Sequence, residues 1–144
     1  MQNKNILNKK FYYNKKLKFF ETEIEQIIES MNSLKFIINK TIEDIKEGNY
    51  TKEEILKRFR YMGIIIRDFI VIIKLMIKKV EKYKLNDALL YEYIIYIDKF
   101  IYNIIMILLD ALDTYLINFN YSIKYVCDSL NKAKNLIEEY VRYF

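Results

Sequence analysis

In a chain without histidine, acid–base or metal chemistry would fall to its carboxylates. Ser-His-Asp and Cys-His nucleophiles need an imidazole base, and histidine-built zinc sites need its nitrogen. The Glu-x-x-His ligands of di-iron bundles are absent for the same reason. Helical ribonuclease toxins that pair an arginine with a nearby histidine are disfavoured with them. The glycines are Gly48 and Gly63, so no Gly-rich loop cradles a phosphate. Among the acids, Glu21, Glu23, Glu25 and Glu29 gather in one stretch, and Glu25 and Glu29 share a helix face at i, i+4. A hard cation suits such a face, but a solvated helix surface is the simpler reading. Asp98 falls among apolar residues, where a carboxylate needs a partner or a shifted pKa. Cys127, the single cysteine, reads as a small core residue. No catalytic, cofactor or metal residue is assigned, and the chain reads as non-enzymatic.

The other charges with a pattern are basic. Arg60, Arg67 and Lys74 repeat every seven residues, and Lys57, Lys78 and Lys82 fall in the same arc of about 100° on a helical projection. Ile64, Val71 and Leu75 lie within that arc. Three roles fit a stripe of this kind. It can pair with acids inside the fold. It can meet a protein partner, such as an acidic amphipathic helix or a second copy, through Arg60, Ile64, Arg67, Val71, Lys74, Leu75 and Lys78. It can attract phosphates of nucleic acid or anionic lipid.

The elements that carry these residues follow from periodicity. Apolar residues step by three and four through Leu17, Phe20, Ile24, Ile27, Met31, Leu34, Ile38 and Ile45, with Thr41 the polar exception. Gly48-Asn49 stops that helix. Thr51 and Glu54 form the capping box T-x-x-E of a second helix. Its seam runs Ile55, Phe59, Met62, Ile66, Phe69, Ile73, Met76, Val80 and Tyr83. A third seam runs Leu90, Ile94, Ile97, Ile101, Ile104, Leu108, Ala111 and Tyr115, and a fourth Ile123, Val126, Leu130, Ala133, Ile137, Tyr140 and Phe144. Short connections join such helices as antiparallel neighbours. The pattern predicts an all-α, antiparallel up-down-up-down four-helix bundle with heptad-like seams. Residues 1–16 form a basic arm or the start of helix one, and 17–144 one bundle domain. The rival fold fuses helices three and four into one bent helix. Antiparallel pairing would set Lys74 near Asp98 and near Glu23 or Glu25, Lys78 near Glu92 and Glu21, and Arg60 near Asp110 and Asp113.

Charge alternates along the chain, at +6 for residues 1–18, −4 for 19–48, +6 for 49–85, −4 for 86–119 and +1 for 120–144, within a formal total of +5. The alternation fits pairing between neighbouring helices. Helix three also has apolar residues beyond its seam, namely Ile95, Tyr102, Ile105, Leu109, Leu112 and Leu116. A helix this apolar is buried on several sides or paired across an oligomer, so a homodimer is expected.

The arm carries Lys4, Lys9, Lys10, Lys15, Lys16 and Lys18 among Phe11, Tyr12, Tyr13, Phe19 and Phe20, with no acid. Lysines neutralise phosphates and aromatic faces stack on unpaired bases. Lys9, Lys10, Lys15, Lys16 and Lys18 are therefore the candidate phosphate-binding residues, for nucleic acid or for an anionic membrane surface. A solvated, frayed helix start accounts for the same residues. No arginine in the arm offers bidentate base contacts.

A single cysteine and the lack of a secretory signal pattern in the first twenty residues point to a reducing, intracellular and cytoplasmic setting. No uncharged run exceeds ten residues, as in Phe100 to Leu109, so no transmembrane span is expected. The preference for Ile, Lys, Asn, Tyr and Phe suits an AT-rich genome and lowers the weight of the 14 tyrosines as a binding signal. The expected function is protein–protein interaction or self-association. A nucleic-acid-binding accessory or coat-type protein and a peripheral membrane protein are the alternatives.

Overall fold

A computed structural model describes residues 17–83, 88–117 and 123–142. Four helices follow a 3-10 turn at Leu17–Phe20. They are α1, Glu21–Glu47; α2, Lys52–Lys82; α3, Ala88–Ile117; and α4, Ile123–Val141. Each packs on the next in order, and α4 closes the ring against α1. Arg58 meets Asp44 at one end of the α1–α2 pair and Lys79 meets Glu23 at the other, which fixes the two as antiparallel. Phe59 near the start of α2 on Tyr115 near the end of α3, and Phe100 in the first half of α3 on Tyr140 at the end of α4, run those two pairs antiparallel, so α1 and α4, joined by Lys35–Glu138, are antiparallel as well. The all-α up-down-up-down four-helix bundle is therefore observed. Helices α3 and α4 are separate and packed side by side, so the bent-helix alternative does not hold.

Local signals place the α1–α2 corner. Gly48 adopts the left-handed conformation at φ 68°, and its N–H donates to Ile45 O at 3.1 Å. A side chain is strained at such a φ, which is why glycine serves there. The Thr51 hydroxyl accepts the Glu54 N–H at 3.2 Å and opens α2. That bond contributes about 1 kcal/mol. Thr51 thus makes its half of the capping box, while Glu54 stays exposed.

The seams are the core. Ile27, Ile38, Met76, Ile97, Ala111, Val126, Leu130 and Ile137 are fully or almost fully buried, and their seam-mates follow with few exceptions. Thr41 is buried too, and its hydroxyl donates to Ile37 O one turn back at 2.7 Å, so the polar seam position costs no unmade hydrogen bond. Two expectations are corrected. Tyr83 is 57% exposed, because α2 ends there and its ring turns onto Phe19. Residues 17–20 form a 3-10 turn rather than the first turn of α1, and in it the Phe19 carbonyl accepts from Lys79 Nζ. Of the seam positions, Phe144 lies outside the described residues, as do the side chains of Leu17 and Leu90.

Burial pushes the Tyr115 phenol up to about 12, with Tyr50 adding to it. The unfolded phenol releases its proton near 10, so above that pH the unfolded state binds fewer protons and stability falls. The urea midpoint should be level to about pH 10 and drop between about pH 10 and 12, and Tyr115→Phe should shrink that drop. The seam register is checked by two truncations two residues apart on α3. In dilute protein, Ile97→Ala should cost about 2–5 kcal/mol in chemical denaturation, whereas Ile95→Ala should stay within about 0.5 kcal/mol of the parent.

Candidate functional site

A heptad seam leaves every helix two flanks, and the two flanks of α2 differ. The flank toward α1 is closed. Ile72 is buried there, Arg58 Nη2 donates to Asp44 Oδ2 at 2.8 Å, and Lys79 Nζ donates to Glu23 Oε1 at 3.1 Å. Lys40 lies 3.6 Å from the same Asp44 carboxylate. Lys79 also sits 4.6 Å above the Phe19 ring, so one ammonium ties the entry turn to both helices.

The flank toward α3 is open. α2 and α3 make the sparsest contact of the four adjacent pairs. Between them lies an apolar hollow of about 210 Å³, lined by Phe59, Met62, Gly63 and Ile66 from α2 and by Ile105, Leu108, Leu109 and Leu112 from α3. A Cβ added to Gly63 would meet nothing within 4 Å, so the missing side chain leaves a notch in the wall. Ile66 belongs to the seam but is only half-buried, because it faces this hollow. A shallower hollow over Met106, Leu109, Asp110, Leu112, Asp113 and Leu116 shares Leu109 and Leu112 with it and carries the apolar surface outward.

The seven residues of the sequence-derived partner surface, Arg60, Ile64, Arg67, Val71, Lys74, Leu75 and Lys78, are all exposed on the outside of α2, with Arg67 and Lys74 on the side nearer α3 and Leu75 turned toward α1. Val71 is 50% exposed, and across the groove Ile95, Tyr102 and Leu109 of α3 are 52%, 61% and 54% exposed. Side chains of this kind, exposed together along one face, mark an interaction surface more than scattered single ones do.

Among the described residues, Arg60, Arg67, Lys74 and Lys78 make no ion pair with Glu21, Glu23, Glu25, Asp98, Asp110 or Asp113. Helix rotation is the reason. Arg58 and Lys79 point at α1, whereas Lys78, one residue earlier than Lys79, projects to solvent. Asp98 is exposed, because the loose α2–α3 contact leaves its flank in water. Asp110 instead accepts from the Tyr125 hydroxyl on α4, and that bond together with the carboxylate's charge raises the Tyr125 phenol.

Other candidates resolve plainly. Glu21, Glu25 and Glu29 are exposed, and no three metal-ligating side chains converge among the described residues. Burial raises the Cys127 thiol, which disfavours the reactive thiolate. Lys9, Lys10, Lys15 and Lys16 lie outside the described residues, as does the side chain of Lys18. From Tyr91 to Ile117, α3 is long and apolar enough to cross a membrane, with mean hydropathy 1.7 and 33% of that window buried. Runs without charge are a stricter measure than hydropathy averaged over a window, which tolerates the dispersed Asp110 and Asp113. In the bundle this helix is a wall of the core.

Comparison of the chain with known protein families, curated proteins and solved structures returns no match.

The notch at Gly63 makes a simple prediction. Gly63→Ala removes the entropic cost of a mid-helix glycine and meets no neighbour, so it should raise unfolding stability by about 0.5–1 kcal/mol. A loss of stability in denaturant titration would mean that the wall is closed there.

Proposed function

We propose that the chain is a non-enzymatic helical-bundle protein that acts by binding a protein surface along the outer face of α2 and α3. One observation carries the reading. The α2–α3 groove is apolar and unsealed, and it is bordered by basic side chains that make no ion pair among the described residues. An apolar centre with a charged rim is the anatomy of a protein interface. The face is also large enough. Helices of 31 and 30 residues are about 45 Å long, and two of them side by side span about 20 Å. The product, on the order of 900 Å², compares with the roughly 800 Å² per partner of a stable interface.

The test is a double variant, Val71→Glu with Leu109→Glu, in the full chain. Both positions are half exposed in the single chain, so helix content should match the parent and, in protein dilute enough that copies do not associate, the unfolding midpoint should match within about 0.5 kcal/mol. Capture of the bound protein by tagged bait from the native host should be lost, while a Lys132→Glu variant on exposed α4 surface keeps it. Equal capture by all three would remove this face from the function.

The apolar stretch Tyr91–Ile117 supports a second reading, attachment of the same face to an anionic membrane surface. Flotation with phosphatidylserine-containing but not pure phosphatidylcholine vesicles, abolished by the same double variant, is its expected outcome.

A further inference from the structure

We infer that the occupant of the α2–α3 face is a second copy of this chain, related by a two-fold axis parallel to the helices. This rests on the reading of that face as the working surface and adds the identity of its partner. Charge complementarity carries it. The exposed charges of the face lean by helix, with Arg60, Arg67, Lys74 and Lys78 on α2 and, on α3, Asp98 and Asp113 against the single cation Lys99. None of these is neutralised by an ion pair among the described residues. The apolar groove lies between the two groups. A face that is basic on one edge, apolar in the middle and acidic on the other is complementary to itself.

The symmetry axis follows from the charges. A two-fold perpendicular to the helices sets α2 on α2 and α3 on α3, so like charges oppose. A two-fold along the helices sets α2 of one copy over α3 of the other and preserves height along the bundle. Within one chain Phe59 packs on Tyr115, and Met62 shares its cavity with Leu112. That register puts Arg60 level with Asp113, and Lys74 level with Asp98. The axis along the helices therefore places Arg60 of one copy across from Asp113 of the other, and Lys74 across from Asp98, with each pair made twice. Between them the exposed apolar side chains of both copies meet, with Leu109 beside the notch at Gly63. The apolar excess of α3 and the opposite charges of residues 49–85 and 86–119 then have one common cause.

Sedimentation equilibrium of the full chain tests this. The parent should sediment at twice 17.7 kDa. Arg60→Glu with Lys74→Glu puts acid against acid and should raise the dissociation constant about 10- to 100-fold. Asp98→Lys with Asp113→Lys puts base against base and should do the same. An equimolar mixture of the two variants should regain the dimer mass, because each copy then carries the charge that the other lacks. That recovery requires both variants to be folded, so misfolding cannot produce it. A parent that sediments as one chain overturns the inference, whether or not it floats with phosphatidylserine vesicles. Charge variants that dimerise as the parent does, or a mixture that stays monomeric, overturn it as well. If the chain is monomeric and Val71→Glu with Leu109→Glu still loses capture of a different protein, the inference fails while the reading of the face stands.

Discussion

Burial of a seam that repeats every three to four residues is the constraint on which this bundle depends. Each helix turns one stripe inward, and the stripes of α1 to α4 fill the interior with isoleucine, leucine, methionine and a few aromatics. That burial is the dominant stabilising term and is indifferent to what lies on the flanks. Flanks are where adjacent helices differ. Between α1 and α2 the flank holds buried Ile72 and two part-buried ion pairs. Between α2 and α3 it holds Gly63, a hollow and exposed charges. The core holds both pairs together, but only the first pair also seals its outer edge.

That asymmetry comes from local chemistry. Ion pairs as exposed as Lys35–Glu138 contribute about 0–1 kcal/mol, so their value is in register rather than stability. The closed flank of α2 uses its charges this way. On the open flank Arg60, Arg67, Lys74 and Lys78 are exposed and make no ion pair among the described residues. A mid-helix glycine is itself unfavourable relative to alanine by about 0.5–1 kcal/mol. Gly63 keeps the α2 wall low where Leu109 and Leu112 rise from α3. Stability is therefore not maximised at this point of α2.

Much of the fold was legible in the residues because helix geometry leaves the seam little freedom. The spacing of Ile94, Ile97, Ile101 and Ile104 names the buried stripe directly, and the structure buries all four. Gly48 and Thr51 were legible for a similar reason, since a left-handed stop and a hydroxyl cap each call for a short set of residue types. The ion pairs were not legible. A seam says which stripe is inside, but not whether the next helix lies to its left or right, so both flanks look alike in sequence. The choice between Lys78 and Lys79 is one residue and about 100° of rotation. The repeat of Arg60, Arg67 and Lys74 suggested internal pairing, whereas Arg58 and Lys79, outside that repeat, make the bonds. The basic stripe on α2 was legible, but the groove between α2 and α3 was not. Its depth comes from the absence of a side chain at Gly63 and from the sparse contact with α3.

The central claim is that one face of the bundle is open and that a second copy covers it. Oxidative footprinting of side chains as a function of protein concentration addresses both halves at once. Tyr102, Met106 and Leu109 should be modified in dilute protein and become protected as concentration rises. Phe36 on α1 and Tyr125 on α4 should stay reactive throughout, and buried Met31 and Met76 should stay protected. Protection that never changes with concentration, or that spreads equally to Phe36 and Tyr125, would contradict the account.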